Sequence, residues 1–165
     1  MTIKKQLSEI SDGILQQALQ SELNAFYLYR HLSIQCQRLG LFGSAKYFAK
    51  ESMDEQSHAK LIEDFFNDRG VVAMLPDIQS PDVHIGNLSN ALQAGYDAEL
   101  ELGNSYNKWY QSVLTKDSAT AQFMLQFIEI QRLSIGEYGD WLTRFKTLGG
   151  GDLAVMTIDR ELGEV

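Results

Sequence analysis

The sequence predicts an all-α fold: a bundle of four long helices, one long crossover between the second and the third, and a short fifth helix at the C-terminal end. Three observations carry this. Apolar residues recur at helical spacing over long stretches with no strong breaker. Both prolines, Pro76 and Pro81, fall in one short segment. No stretch alternates apolar and polar residues as a half-buried strand does.

The first periodic segment runs from about Ser8 to Arg38 and closes at Gly40, with Leu15, Leu19, Phe26, Leu32 and Cys36 along one stripe. The second runs from about Ser44, expected as its N-cap, to Gly70, expected as its C′ glycine, and carries Phe48, Ala59, Ile62 and Phe66 on its apolar face. The short link from Leu39 to Gly43 makes the two antiparallel. Residues Val71 to Asn87 hold the prolines and no sustained periodicity, so they form a linker. A helix of about 27 residues is about 40 Å long. A 17-residue linker reaches about 55 Å when extended. It can therefore cross the whole bundle and set the third helix parallel to the second.

The third helix spans about Leu88 to Leu114, with Leu92, Leu102, Tyr106, Trp109 and Val113 on one face, and stops near Thr115. Asp117 or Ser118 caps the fourth, which runs from about Ala119 to Leu148 through Phe123, Phe127, Ile135, Tyr138, Leu142 and Phe145. Gly149, Gly150 and Gly151 end it. Asp152 is expected to cap a last short helix, to about Gly163, which is too short to join the bundle and apolar enough to dock on it.

Length and charge narrow the functions available. A chain of 165 residues with 44% hydrophobic residues can bury a sizeable core as one domain, residues 1–165, without disulfides. The net charge of -8 argues against nucleic-acid or anionic-membrane partners, which require a basic face. No apolar run approaches the roughly 18 residues of a membrane span. Cys36 is the only cysteine, and the first residues lack the apolar core and cleavage site of a secretion signal, so a reducing compartment is expected, most simply the cytoplasm.

Each seam contains residues that do not belong in an apolar core. Helical spacing puts Glu22 and Tyr29 on the inward stripe of the first helix. It puts Glu55 and, three residues on, His58 inward on the second, Glu99 on the third and Gln131 on the fourth. Any one of these glutamates could snorkel outward or pair with an arginine. Together they make the metal reading stronger, because an isolated buried carboxylate is very costly unless it is paired or metal-bound. Three carboxylates, one imidazole and one amide form a hard, oxygen-rich donor set that suits iron better than a thiolate-lined zinc site. Glu55-Gln56-Ser57-His58 is a Glu-x-x-His of the type used in carboxylate-bridged di-iron bundles; alone it is a weak signal.

With these residues in place, the chain resembles the non-haem ferritins of prokaryotic type that carry a heavy-chain-like ferroxidase centre. SELNAFYLY resembles their first-helix motif, with Glu22 as terminal ligand and Tyr29 as the site tyrosine. DEQSH resembles the second-helix motif, with Glu55 bridging and His58 as the single imidazole. YDAELELG supplies Glu99, IEIQRLS supplies Gln131, and the likeness continues to Ile158-Asp159-Arg160-Glu161-Leu162.

The resemblance implies that Glu22, Glu55 and His58 hold one Fe(II), while Glu55, Glu99 and, more weakly, Gln131 hold a second. Two adjacent metals can share the electrons that reduce O₂ to peroxide. Tyr29 either hydrogen-bonds a ligand or supplies an electron. The resemblance further implies a homo-oligomeric cage of twenty-four subunits storing ferric mineral, with the terminal helix packing about the four-fold axes.

Several departures mark the chain. Ile130, Leu133 and Ser134 stand where some bacterial ferritins have the glutamates of a third iron site, so a complete third site is not expected. Ala121 and Met124 stand where animal ferritins line their three-fold channels with acidic residues. A single Glu-x-x-His separates the chain from bacterioferritins, rubrerythrins and oxygenase-type di-iron proteins, which carry two, and Gln56 replaces the bacterioferritin haem methionine, so no haem is expected. The segment from Asp152 to Val165 separates it from dodecameric mini-ferritins. A cage subunit without a competent site is the non-enzymatic alternative, and the complete ligand set opposes it. Glu51, Asp54, Glu129 and Glu137 read as solvated charges or as groups beside the ligands, His31 and His84 as surface or capping residues, and Cys36 as a core thiol.

Overall fold

Three of the long helices begin on a short polar side chain that accepts an otherwise orphaned first-turn N–H. Ser8 takes the Ser11 N–H at 3.1 Å, Asn87 that of Asn90 at 2.9 Å, and Asp117 that of Thr120 at 3.1 Å. The computed structural model describes residues 3–165. Its helices are α1 (Glu9–Arg38), α2 (Phe42–Asp68), α3 (Leu88–Val113), α4 (Ser118–Thr147) and α5 (Asp152–Leu162), and there is no strand among the described residues.

The start of α2 corrects the sequence reading. The helix begins two residues before Ser44, after Leu41, with no side-chain cap of its own. Its cap comes from α5. Asp159 accepts the Ser44 N–H at 2.8 Å and the Ser44 hydroxyl at 2.6 Å on one oxygen, and the Gly43 N–H at 3.3 Å on the other. A carboxylate at the positive end of a helix dipole is favourable, and here it also pins the terminal helix. Asp152 does not cap α5 either; it is the first helical residue, after Gly151. Ala154, Ile158 and Leu162 bury the inner face of α5. The approach to α2 is so close that a Cβ on Gly43 would lie 1.8 Å from the Asp159 carbonyl oxygen.

The linker runs along α1. Gln16 exchanges two hydrogen bonds with the Met74 backbone, Gln20 donates to the Asp77 carbonyl, and Gln35 accepts the Ile85 N–H at 2.9 Å and donates to the Val83 carbonyl at 2.8 Å. From Gln16 to Gln35 is about 28 Å of helix at about 1.5 Å per residue. The crossover therefore traverses the bundle and delivers α3 parallel to α2. His31, whose ring nitrogen lies 3.0 Å from the Val83 carbonyl, is part of this anchoring.

The apolar core is split in two. One half gathers Leu32, Cys36, Phe48, Leu88, Leu92, Tyr138 and Ile158; the other gathers Leu15, Leu19, Ile62, Phe66, Met124 and Phe127. Between them, on every long helix, lies a polar residue that is almost fully buried: Glu22, Glu55, Glu99 and Gln131. Ala121 and Met124 are themselves buried in the bundle, so within the chain neither side chain faces a channel.

Asp117 supports the far end of the bundle, where it also accepts the Ser11 hydroxyl at 2.9 Å and pairs with Arg69 at 3.3 Å. Burial alone would raise its carboxyl, but the Thr120 and Ser11 hydrogen bonds and Arg69 outweigh that and hold it below its ordinary 3.8. The stabilisation is thus fully present above the ordinary value and is lost as pH falls through the lower folded one. Asp117→Ala is expected to cost about 1–2 kcal/mol at neutral pH. In urea melts the gap from wild type should close in strong acid.

Candidate metal centre

The seam positions of the four long helices converge in one layer. Glu22, Glu55 and His58 each present a ligand atom, all within 4.8 Å of one another. His58 Nδ1 lies 3.1 Å from Glu55 Oε2 and 3.6 Å from Glu22 Oε2. Glu99, on α3, is held from two sides. The Tyr29 hydroxyl donates to its Oε1, and Gln131, with its amide nitrogen turned toward the carboxylate, donates to Oε2 at 2.6 Å. All six residues singled out in the sequence therefore line one layer, in two groups: Glu22, Glu55 and His58 on one side, Glu99, Gln131 and Tyr29 on the other.

The electrostatics of this layer are unfavourable for a protein alone. Burial pushes the Glu55 carboxyl well above the usual carboxylate range, His58 opposing and Glu22 adding to the rise. Burial raises Glu99 as well, with Tyr29 opposing and Glu22 adding. Burial would lower His58, yet the neighbouring Glu22 and Glu55 carboxylates push it up to about 10. Among the described residues no lysine or arginine pairs with any of the three glutamates, and Glu22 Oε2 is buried without a hydrogen-bond partner. Buried acceptors are rarely left orphaned. A cluster that crowds acidic oxygens and leaves one free could hold a cation, and its donors fit a hard metal such as iron.

The fold is shared with known proteins. The ferritin-like domain family matches residues 13–148. The chain belongs to the ferritin family. This ferritin is 31% identical to the ferritin of Pacifastacus leniusculus over 153 residues, covering 86% of this chain and 81% of that one. It is 22% identical to a probable bacterial non-heme ferritin-like protein of Haemophilus influenzae, covering 96% and 97%. In structure it is similar to an open-pore ferritin of the archaeon Archaeoglobus fulgidus, with a TM-score of 0.91 at 21% identity, covering 97% and 98% of the chains; that likeness shows the shared fold. Iron storage is the function that membership supports.

One residue of this buried layer escaped the sequence reading. Tyr106, read as a core aromatic, donates its hydroxyl to Glu22 Oε1. The signal was present. Glu22 and Tyr29 on α1 are seven residues apart, as are Glu99 and Tyr106 on α3, and each tyrosine bonds the other helix's glutamate. The two antiparallel helices thus support each other's carboxylates in a near-symmetric pair. Glu129 is solvated and paired with Arg132, as expected. Glu51 is not simply solvated: it is half-buried, and burial together with Glu137, Glu99 and Asp54 raises it to about 7.

Proposed function

We propose that this ferritin is a ferroxidase: it binds two Fe(II) in the buried layer, oxidises them with O₂, and passes the ferric product to a mineral held in a cage of about twenty-four subunits. The observation that carries the reading is the buried layer of three carboxylates, with His58 as its one cationic neighbour and an orphaned Glu22 oxygen. Glu22, Glu55 and His58 would hold one Fe(II); Glu55, Glu99 and, more weakly, Gln131 the other. Each Fe(II) supplies one electron, so the pair reduces one O₂, with two protons, to hydrogen peroxide.

The remaining work falls to the chain. Tyr106 and Tyr29 fix the orientation of Glu22 and Glu99, and burial raises both phenols so that they stay protonated donors. The apolar halves above and below exclude water from the layer. Exposed apolar groups support assembly: Leu153 and Met156 on the outer face of α5 are 69% and 73% exposed, and Phe42 at the same end is 63% exposed. No described helix is long and apolar enough to cross a membrane. We place the protein in the cytoplasm, acting as one unit over residues 1–165.

Stopped-flow mixing of Fe(II)-loaded protein with O₂ tests the reaction. Consumption of about one O₂ per two Fe(II), far faster than without protein, is the expected result; a rate equal to that of free Fe(II) would exclude it. Tyr106→Phe leaves Glu22 without its donor and is expected to weaken Fe(II) binding about 10-fold, read by anaerobic titration.

A further inference from the structure

On the side of the metal layer toward α5, three buried tyrosines stand in contact. Tyr29 of α1 lies against Tyr138 of α4 with ring centroids 6.2 Å apart and planes 2° from parallel. Tyr138 meets Tyr47 of α2 edge-on at 6.0 Å. None of the three is more than 2% exposed. The place of Tyr138 is made for it by Gly95 on α3, where a Cβ would come within 2.4 Å of the ring. Each tyrosine also has its own carboxylate: Tyr29 donates to Glu99, Tyr138 to Glu51 at 3.4 Å, and Tyr47 to Glu137 at 2.9 Å. Glu137 is exposed and Glu51 half-buried, so the last two acceptors reach water.

That pairing matters because a buried phenol gives up an electron readily only if its proton leaves at the same time. A tyrosine is a neutral phenol at neutral pH, so each of the three needs an acceptor, and each has one within the bundle. A stack built for packing alone has no use for three separate carboxylates, nor for a glycine that admits a polar ring where an aliphatic side chain would fill the space.

We propose that Tyr29, Tyr138 and Tyr47 form an electron relay between the metal layer and the Glu51–Glu137 edge of the bundle, used when O₂ meets a layer holding fewer Fe(II) than it needs. This rests on the ferroxidase reading. With one Fe(II) present, the iron gives one electron and Tyr29 the second, so O₂ takes two electrons and two protons to become hydrogen peroxide. One proton is that of Tyr29, passed through Glu99; the other comes from water. Tyr138 then reduces the Tyr29 phenoxyl, its proton moving to Glu51 while Tyr29 regains one through Glu99. Tyr47 reduces Tyr138 in turn, its proton moving to Glu137 while Tyr138 recovers its own from Glu51. The unpaired electron ends on Tyr47, away from the iron.

Freeze-quench electron paramagnetic resonance tests the relay. Protein loaded with about one Fe(II) per chain is mixed with O₂, and Fe(II) oxidation is followed in the same samples for wild type, Tyr138→Phe and Tyr47→Phe. Phenylalanine keeps the ring packing but has no proton to release. The expected result is a tyrosyl radical in wild type whose line shape changes with time as it leaves Tyr29. In Tyr138→Phe it should keep its earliest line shape and persist several-fold longer; in Tyr47→Phe it should stop at a second, distinct line shape. Iron oxidation with no radical, or with the same line shape and decay in all three proteins, would overturn the relay and leave the ferroxidase reading standing. Absence of iron oxidation in wild type would overturn both.

Discussion

Glu55→Ala is expected to slow Fe(II) oxidation by roughly 100-fold or more, because in the proposed centre this carboxylate belongs to both iron positions, and loss even of a supporting group costs about 10–100-fold at metal sites. The same substitution should leave the metal-free protein as stable as wild type, or more stable. Glu55 is buried beside Glu22 with its carboxyl pushed upward, so its removal relieves desolvation and crowding. Stopped-flow oxidation and thermal melting of the metal-free protein measure the two effects separately. Fast oxidation with a damaged fold would reverse the account, making Glu55 structural and the chemistry someone else's.

Gly43→Ala is expected to release the terminal helix. The added Cβ would meet the Asp159 backbone oxygen at 1.8 Å, and backbone cannot turn aside as a side-chain tip can. Either α5 lifts or the start of α2 unwinds, and in both cases the three hydrogen bonds to the Asp159 carboxylate are lost. Overpacking of this kind costs about 1–3 kcal/mol, and each charge-assisted bond adds about 1.5–3 kcal/mol. A loss of about 3 kcal/mol or more in urea melts is the prediction. Sedimentation should show smaller assemblies, since Leu153 and Met156 leave their fixed positions. Unchanged melts and sedimentation would mean that α5 docks by its apolar face alone.

The fold was legible because long helices write their period plainly and because one linker collected both prolines. The buried polar layer was legible for the opposite reason: Glu22, Glu55, Glu99 and Gln131 break the apolar stripe, and a break in a strong pattern is easy to see. Tyr106 was not seen because a tyrosine in a core stripe breaks nothing; only its hydroxyl matters, and that is invisible to hydrophobic periodicity. The cap on α2 was misread for a different reason. Ser44 is a good N-cap by local rules, but Asp159, far along the chain, accepts the Gly43 N–H and both the N–H and the hydroxyl of Ser44, and the helix starts two residues earlier. Glu51 read as a solvated charge or as a group beside the ligands; it is half-buried and accepts from the Tyr138 hydroxyl at 3.4 Å, a contact from another helix that its own helical position does not announce.

The central claim is that the buried layer is a two-iron site within one chain, and anaerobic Fe(II) titration of the metal-free protein tests it most directly. Wild type should saturate near two Fe(II) per chain, as a paired site requires, and Glu55→Ala should lose tight binding at both positions. Binding that never saturates, or a Glu55→Ala isotherm that overlays wild type, would contradict the account and leave a ferritin-family bundle whose iron binds elsewhere.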